Sequence, residues 1–153
     1  QDELNMEQVL LEIVDIWHFG LSMLLMSGSD INKIADRVNN DWDQAADIAD
    51  FHQAVEKLAR VALQKKEFSV SSFHEVLNVC NFNFEDLYRS YIGKNVLNRF
   101  RQDNGYKTGS YVKNWNGLED NEILAKIQKS LKVDVEDFEE VIYARLESEY
   151  LSL

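Results

Sequence analysis

The sequence predicts an all-α protein, and three observations support that prediction. The chain has 153 residues, of which 45% are hydrophobic and 11% aromatic, enough to build one domain with a real core. Proline is absent and only 6 glycines occur, so long helices can run without interruption. No stretch alternates apolar and polar residues over more than a few positions. We therefore expect a single compact helical domain over residues 1–153.

The first helix is expected from about Asp2 to Met26. Its apolar residues cover nearly all sides, which is typical of a central helix that is buried all round. These residues are Val9, Leu10, Ile13, Val14, Ile16, Trp17, Leu21, Leu24 and Leu25.

The remaining elements follow in chain order. Residues 31–49 are ambiguous, because they hold helical fragments while Asn39-Asn40-Asp41 looks like a break. Further helices are expected over 45–63, 71–79, 84–101, 119–131 and 135–150, with a polar loop at about 104–116. The 45–63 helix should bury the face that carries Ile48, Phe51, Val55, Leu58 and Ala62, and Ser71 or Ser72 should cap the next helix.

Charge and cysteine content limit the classes of function. A net charge of −11 argues against extensive binding of nucleic acid or an anionic membrane, although a small polyanion can still bind at a local basic patch or a metal. The single Cys80 cannot form an internal disulfide, which fits a reducing, cytoplasmic location. The longest apolar stretch, about Ile13 to Met26, is interrupted by Asp15 and His18 and is too short to span a bilayer.

Two carboxylates in the first helix form the first candidate site. Glu12 and Asp15 are three residues apart and share a helical face in otherwise apolar surroundings. Because buried carboxylates are costly and no lysine or arginine lies within a helical turn, a divalent cation is a natural partner. The alternative is that the pair meets distant basic residues or lies on a solvated stripe. His18 and Phe19 can border the same cleft, or they can belong to the core.

A basic segment, Tyr88 to Asn116, forms the second candidate site. It holds six bases and one acid, a charge of +5, while the rest of the chain has 10 bases and 26 acids, or −16. Lys94, Asn98 and Arg101 fall at i, i+4 and i+7 and form one polar stripe. The bases, four glycines in or beside the segment, and its six aromatic residues together suit a nucleotide. A solvated helix face followed by an ordinary loop is the alternative.

Both segments carry a family resemblance. Residues 12–19, Glu-Ile-Val-Asp-Ile-Trp-His-Phe, resemble the second metal motif, E-x-x-D followed by His-Phe, of the dimeric all-α dUTPases. Residues 93–107 resemble that family's downstream substrate motif, which continues through Gly109, Tyr111, Lys113, Trp115, Gly117, Glu119, Asp120 and Asn121. Bacterial members of the Campylobacter type are the most similar. The fold implied is that of the all-α nucleotide pyrophosphohydrolases.

The resemblance implies a chemistry and a role for each candidate residue. The family hydrolyses dUTP, and also dUDP, to dUMP with Mg²⁺, which limits uracil in DNA, and acts as a homodimer. Glu12 and Asp15 would be metal-binding, catalytic carboxylates. His18 and Phe19 would border the deoxyribose and uracil, and Asn98 would contact uracil or sugar. The candidates for the phosphate chain, with Asn121 nearby, are Lys94, Arg101, Tyr106, Lys107 and Lys113.

One part of the family pattern is missing. The family has an E-x-x-E metal motif on an earlier helix, and Glu3 and Glu7 do not replace it because they precede Glu12 on the same helix. The chain opens with Gln1 and not Met, so we expect a native helical segment upstream. We also expect a protein starting at Gln1 to bind Mg²⁺ poorly and hydrolyse dUTP weakly or not at all.

Two other functions remain as alternatives to a dUTP pyrophosphohydrolase. One is an all-α pyrophosphatase for another nucleotide such as dCTP, and the other is a non-catalytic helical interaction module with a decayed site. Neither nucleic acid nor a membrane is an expected partner.

Overall fold

The computed structural model describes residues 6–28, 30–132 and 137–152. The described elements are seven α-helices, one 3₁₀ turn and one two-stranded hairpin, so the predicted all-α class is confirmed. The chain forms two compact units, Gln1–Leu87 and Tyr88–Leu153. The expectation of one domain over 1–153 stays a prediction, and each unit is described by itself below.

The first unit contains four helices: α1 (Met6–Met26), α2 (Ile31–Trp42), α3 (Phe51–Lys65) and α4 (Val70–Val79). Helix α4 lies centrally among them, because it packs on α1, α2 and α3. Six of its residues are buried, which agrees with this position. The central helix of the unit is therefore α4, and not α1 as expected from the sequence.

Helix α1 buries one stripe and not its whole circumference. Its buried residues are Ile13, Val14, Trp17, Gly20 and Leu24, while Ile16, Phe19, Met23, Leu25 and Met26 are exposed. The expectation of a helix buried all round is wrong here, because α2 and α4 pack against one side of it. The helix is also 21 residues long and, by length and composition alone, apolar enough to cross a membrane, so the expectation that this stretch is too short is wrong. Core helices of soluble proteins and signal sequences meet the same criteria.

The ambiguous stretch after α1 resolves into a continuous helix. Helix α2 runs through the expected break at residues 39–41 to Trp42. The Trp42 ring stacks on His74 with centroids 4.0 Å apart and meets the edge of Trp17 at 5.9 Å. This aromatic packing holds the last turn helical despite its two asparagines, as tertiary contacts commonly override local propensity. Asp30 caps the helix by accepting from the backbone of Asn32 and Lys33.

Helix α3 differs from its expected form in start and buried face. It begins at Phe51, after residues 44–50 in non-helical conformation, with Asp50 as its cap. Its buried residues are Ala54 and Leu58, whereas Phe51 and Val55 are exposed. The buried face is decided by packing, because α3 lies against α4 on the side that carries Ala54 and Leu58. Helix α4 is capped by Ser69, not by Ser71 or Ser72.

Glu75 on α4 ties the non-helical 44–50 segment to the first unit's core. Its side chain is 1% exposed. Its Oε1 accepts a hydrogen bond from the Ala46 backbone N–H at 2.9 Å and pairs with Lys57 Nζ at 2.7 Å. A buried carboxylate is tolerated only with such partners, so Glu75 fixes where residues 44–50 lie.

The second unit continues from helix α5 (Phe84–Asp103), which begins before the unit boundary. A 3₁₀ turn (Tyr106–Thr108) and a hairpin of β1 (Asn114–Trp115) and β2 (Leu118–Glu119) follow, then α6 (Asp120–Lys129) and α7 (Phe138–Tyr150). The helices expected at 84–101 and 119–131 are confirmed to within two residues. The beginning of the helix expected at 135–150 lies outside the described residues.

The core of the second unit is built by α5, α6, α7 and the hairpin. Phe100 and Trp115 are nearly fully buried, with ring centroids 5.7 Å apart. Ile123, Leu124, Ile142 and Leu146 complete the same cluster. These contacts fix the orientation of α5 within the unit, with Val96, Leu97 and Phe100 buried and Asn98 exposed.

Replacing Glu75 by alanine should destabilise the first unit. Glu75→Ala leaves the Ala46 N–H and Lys57 without their acceptor, and we expect a loss of about 2–4 kcal/mol in the free energy of unfolding. Urea denaturation measures the loss. The matched control is Glu67→Ala, which removes the exposed partner of Arg37 and should cost less than about 1 kcal/mol. Equal losses in the two variants would contradict the anchoring role.

Candidate functional site

The buried stripe of α1 determines which of its residues face outwards. The Trp17 ring packs on Phe68 and Phe73, with centroids 5.9 and 4.9 Å away. At 100° per residue, Glu12, Asp15 and Phe19 lie within about 60° of one another on the side opposite Trp17. Burial of Trp17 therefore places the two carboxylates and the aromatic ring on one outward face.

The two carboxylates differ in burial. Glu12 is exposed and its Oε1 accepts a hydrogen bond from Gln8 Nε2 at 2.8 Å, one turn earlier on the same helix. Asp15 is half-buried. The expectation that both are buried among apolar residues is therefore wrong for Glu12, because the apolar neighbours of Glu12 are themselves partly exposed. Among residues 6–28, 30–132 and 137–152 no group of three or more His, Cys, Asp or Glu could hold a metal ion.

His18 and Phe19 lie at the solvent-facing side of the same helix. Phe19 is 68% exposed, which is high for a phenylalanine and excludes the alternative that it belongs to this unit's core. The His18 ring is exposed and meets the Phe19 ring edge-on with centroids 5.9 Å apart. An imidazole beside an exposed ring can border a planar ligand, with one polar and one apolar surface.

The polar stripe on α5 is present as expected within the second unit. Lys94 is half-buried, Asn98 is exposed, and Arg101 lies near the end of the helix with a side chain 15% exposed. Asn98 Oδ1 is 3.4 Å from Arg101 Nη1, so the two side chains are in contact along the stripe. The structure therefore brings Asn98 and Arg101 together as the spacing predicts.

Arg101 is held by a buried carboxylate that the sequence interpretation gave no role. Asp120 is 1% exposed and pairs with Arg101 through two hydrogen bonds, from Nε to Oδ2 at 2.8 Å and from Nη2 to Oδ1 at 2.7 Å. The Tyr111 hydroxyl donates to Asp120 Oδ2 at 2.8 Å. Asn121 Oδ1 lies 3.4 Å from Arg101 Nη2. Four side chains from α5, the loop and α6 thus form one polar cluster.

The pKa values of this cluster follow from its geometry. Burial alone would raise the pKa of Asp120, but the hydrogen bonds from Arg101 and Tyr111 and the Arg101 charge outweigh it and lower that pKa. The pKa of Tyr111 is raised, first by burial and then by its hydrogen bond to Asp120. The hydrogen bond to Asp120 raises the pKa of Arg101. At neutral pH the cluster therefore contains an ionised pair and a neutral tyrosine.

A β-hairpin with a two-residue turn, Asn116–Gly117, positions Asp120. Asn116 and Gly117 both have positive φ, 53° and 90°, as required by the type of turn that joins strands most tightly. The pairing of Asn114 with Glu119 puts Lys113 opposite Asp120, whose backbone N–H donates to the Lys113 carbonyl at 2.9 Å. The Asn-Gly pair is a sequence signal from which this hairpin could have been predicted.

The other two arginines of the basic segment have structural partners. Arg89 Nη1 donates to the carbonyls of Gln128 and Leu131 at the end of α6. Arg99 pairs with Glu140 at 3.3 Å and lies over the Tyr143 ring, 4.8 Å from its centroid. Acids from α6 and α7 therefore neutralise part of the +5 charge counted along the segment.

The loop after α5 presents the remaining candidate residues to solvent. Tyr106, Lys107 and Lys113 are exposed, and Lys113 Nζ lies 5.5 Å from the centroid of the Tyr106 ring. Gly105 precedes the 3₁₀ turn with φ 89°, in the left-handed region that favours glycine, and a Cβ there would clash with Ser110 Oγ. The glycine is thus required for the tight turn that exposes this aromatic and cationic surface.

Comparison with known families identifies the chain. The model of a dUTPase family matches residues 1–106, more than two thirds of the chain. The chain belongs to the all-α dUTPase family. Membership implies dUTP hydrolysis as the general activity, and the helical structure agrees with it. No curated protein matches the chain.

The family match includes some of the candidate residues and not others. It includes Glu12, Asp15, His18 and Phe19 on α1, and it also includes Lys94, Asn98, Arg101 and Tyr106. Lys107, Lys113, Asp120 and Asn121 lie beyond it. The roles of all these residues stay predictions, because the comparison identifies a family and not individual contacts.

The Arg101–Asp120 pair should make stability depend on acidic pH. Since the folded-state pKa of Asp120 is lowered, the pair stabilises the native protein above the ordinary carboxyl range near pH 4, and this contribution is lost as pH falls through the folded pKa. Asp120→Asn should cost about 3 kcal/mol at pH 7 and progressively less below about pH 4. Urea unfolding at pH 7, 4 and 3 measures both proteins; a difference that is constant over that range would contradict the assignment.

Proposed function

We propose that this protein is an Mg²⁺-dependent dUTP pyrophosphohydrolase that releases dUMP and pyrophosphate and also accepts dUDP, releasing phosphate. The observation that carries the proposal is the family match over residues 1–106, which contains both the carboxylate–histidine–phenylalanine motif and the Lys94–Arg101 stripe. In the cell such an activity removes dUTP and so limits uracil in DNA. The single cysteine and the net charge of −11 support a cytoplasmic location.

Glu12 and Asp15 are the proposed ligands of Mg²⁺ and the catalytic carboxylates. They are oxygen donors on one outward helix face, which suits a hard cation that keeps several waters. Among the described residues no group of three or more His, Cys, Asp or Glu could hold a metal ion, so the pair would supply only part of the ligands. When bound, Mg²⁺ would neutralise charge on the phosphate chain.

The other α1 residues are proposed to recognise the nucleoside. The exposed Phe19 ring offers an apolar surface for deoxyribose, where a ribose 2′-hydroxyl would lose its hydrogen bonds to water. His18, edge-on to that ring, offers a polar contact to the sugar or base. Asn98, on α5 of the second unit, carries both a hydrogen-bond donor and an acceptor and is proposed to bind the polar edge of uracil.

The basic residues of the second unit are proposed to bind the phosphate chain. Hydrolysis breaks the bond between the α- and β-phosphates, and water supplies the new oxygen. Negative charge then builds on the departing pyrophosphate, and Lys94, Lys107, Lys113 and Arg101 would stabilise it. Tyr106 and Asn121 can donate further hydrogen bonds.

A homodimer is the proposed assembly. Beyond the family resemblance, its support is the exposed pair Ile16 and Met23, which lie at i and i+7 on one face of α1, since exposed apolar residues on one face favour association. Sedimentation velocity of the full-length protein should give the mass of two chains. A monomer at micromolar concentration would contradict the proposal.

Substrate choice tests the proposed reaction directly. We expect full-length protein with Mg²⁺ to convert dUTP and dUDP to dUMP at least about tenfold faster than it converts dCTP, as read by chromatography of the products. Faster dCTP hydrolysis would favour the related pyrophosphatase. A non-catalytic module predicts no heat when a non-hydrolysable dUTP analogue and Mg²⁺ are titrated by calorimetry.

Asp15→Asn tests the proposed metal ligand. It preserves shape while removing the charge that attracts the cation, so we expect kcat/KM for dUTP to fall by about 100-fold or more with an unchanged thermal midpoint. Glu7→Gln, on the same helix but outside the motif, is the matched control and should keep wild-type rates. Normal activity of Asp15→Asn would contradict the metal assignment.

Phe19→Ala tests sugar selection. Removing the ring opens space for a ribose hydroxyl, so the preference for dUTP over UTP should fall by about tenfold or more. Leu63→Ala, which truncates an exposed apolar residue on α3, serves as the control and should keep the preference. Unchanged discrimination in Phe19→Ala would show that another residue selects the sugar.

A further inference from the structure

We propose that Asp120 is a positioning residue, which fixes Arg101 and Tyr111 so that the second unit offers a preorganised surface to the phosphate chain. This inference rests on the proposed function. It gives a role to a buried carboxylate beyond the residues that the family model matches.

Asp120 restricts the directions in which Arg101 can donate hydrogen bonds. The contacts of Arg101 with Asp120, Asn98 and Asn121 account for four of the five N–H groups that a guanidinium carries. One Nη1 hydrogen remains without a partner among the described residues. The forked pair to Asp120 thus leaves the guanidinium a single direction, on the side of Asn98, in which it can donate to a ligand.

Asp120 also holds Tyr111, which packs on other aromatic residues of the second unit. The Tyr111 hydroxyl is held by Asp120, and its ring stacks on Tyr150 with centroids 5.4 Å apart and planes 14° from parallel. The Val112 backbone N–H donates to the Tyr150 hydroxyl at 3.3 Å. The Tyr106 ring, which carries Lys113 above it, lies 6.1 Å from Tyr111. Asp120 therefore acts through Tyr111 on the loop that exposes Lys107 and Lys113.

Stability alone does not account for a buried ion pair in this place. Well-packed apolar residues of similar volume are often as stabilising as a buried pair, or more so. Asp120 also fixes the orientation of two side chains, Arg101 and Tyr111, in a cluster that lies next to solvent. Fixing ligand-binding groups before the ligand arrives reduces the ordering cost of binding.

Two variants of graded severity test the proposal, with one matched control. Asp120→Asn removes the charge of the pair, and Tyr111→Phe removes one hydrogen bond with little change in volume. Tyr143→Phe is the control, because its hydroxyl makes the same type of bond at 2.8 Å, to the exposed Asp103 and not to Asp120.

Hydrogen exchange without nucleotide gives the first readout. We expect faster backbone exchange over residues 105–113 in Asp120→Asn and Tyr111→Phe, with wild-type exchange for α7 residues such as Ile142 and Leu146. Tyr143→Phe should leave the loop unchanged. Wild-type loop exchange in Tyr111→Phe, which is mild enough to fold, would overturn the proposal.

Steady-state kinetics of the full-length protein with dUTP and Mg²⁺ give the second readout. A positioning role predicts that KM rises about three- to tenfold in Tyr111→Phe and about tenfold or more in Asp120→Asn, with smaller effects on kcat. A merely structural role would lower the amount of active protein, and so kcat, at constant KM. Constant KM in both variants, or a lower KM in Asp120→Asn from a released guanidinium, would overturn the proposal.

The two readouts separate this inference from the proposed function. If wild-type protein fails to hydrolyse dUTP, the proposed function fails, while loop exchange still decides whether Asp120 fixes the loop. If dUTP is hydrolysed and both readouts match Tyr143→Phe, the function stands and the positioning role is wrong.

Discussion

The cost of burying a carboxylate organises each unit. Glu75 and Asp120 are both 1% exposed, and a buried anion is stable only where donors converge on it. Glu75 collects the Ala46 backbone and Lys57, which are 29 and 18 residues away in the chain. Asp120 collects Arg101 and Tyr111, 19 and 9 residues away. Each carboxylate thus ties a non-helical segment, residues 44–50 or the loop that carries Tyr111, to the helices of its unit.

Helix α1 shows how partial burial creates a functional surface. Packing of Trp17 against Phe68 and Phe73 uses one stripe of the helix. The regular helical rotation then directs Glu12, Asp15 and Phe19 to the opposite side. A helix buried all round could not present a carboxylate pair to a cation and an exposed ring to a sugar. The exposed apolar residues of this face are consistent with a site and an assembly surface on one helix.

The arginines of the basic segment have partners within the second unit, whereas two of its lysines face solvent. Arg89, Arg99 and Arg101 make directed contacts within the second unit, for which the planar guanidinium is suited. Lys107 and Lys113 lie on the exposed loop, where a compact charge on a flexible stem can follow a phosphate chain. The net charge of a segment therefore overstates the charge it offers to a ligand.

The sequence by itself determined the helical class, the grouping of Glu12, Asp15 and Phe19 on one face, and the stripe of Lys94, Asn98 and Arg101. These follow from helical periodicity, which is a local property of the chain. Only the tertiary structure decided that Glu12 is exposed, that α3 buries Ala54 and not Val55, and that Arg101 is held by Asp120. Burial and ion pairing depend on which distant segments of the chain come into contact. The local pattern of residues does not specify those contacts. The Asn116–Gly117 turn shows both cases. Its local sequence predicts the hairpin, but it does not predict the buried Arg101–Asp120 pair that the hairpin positions.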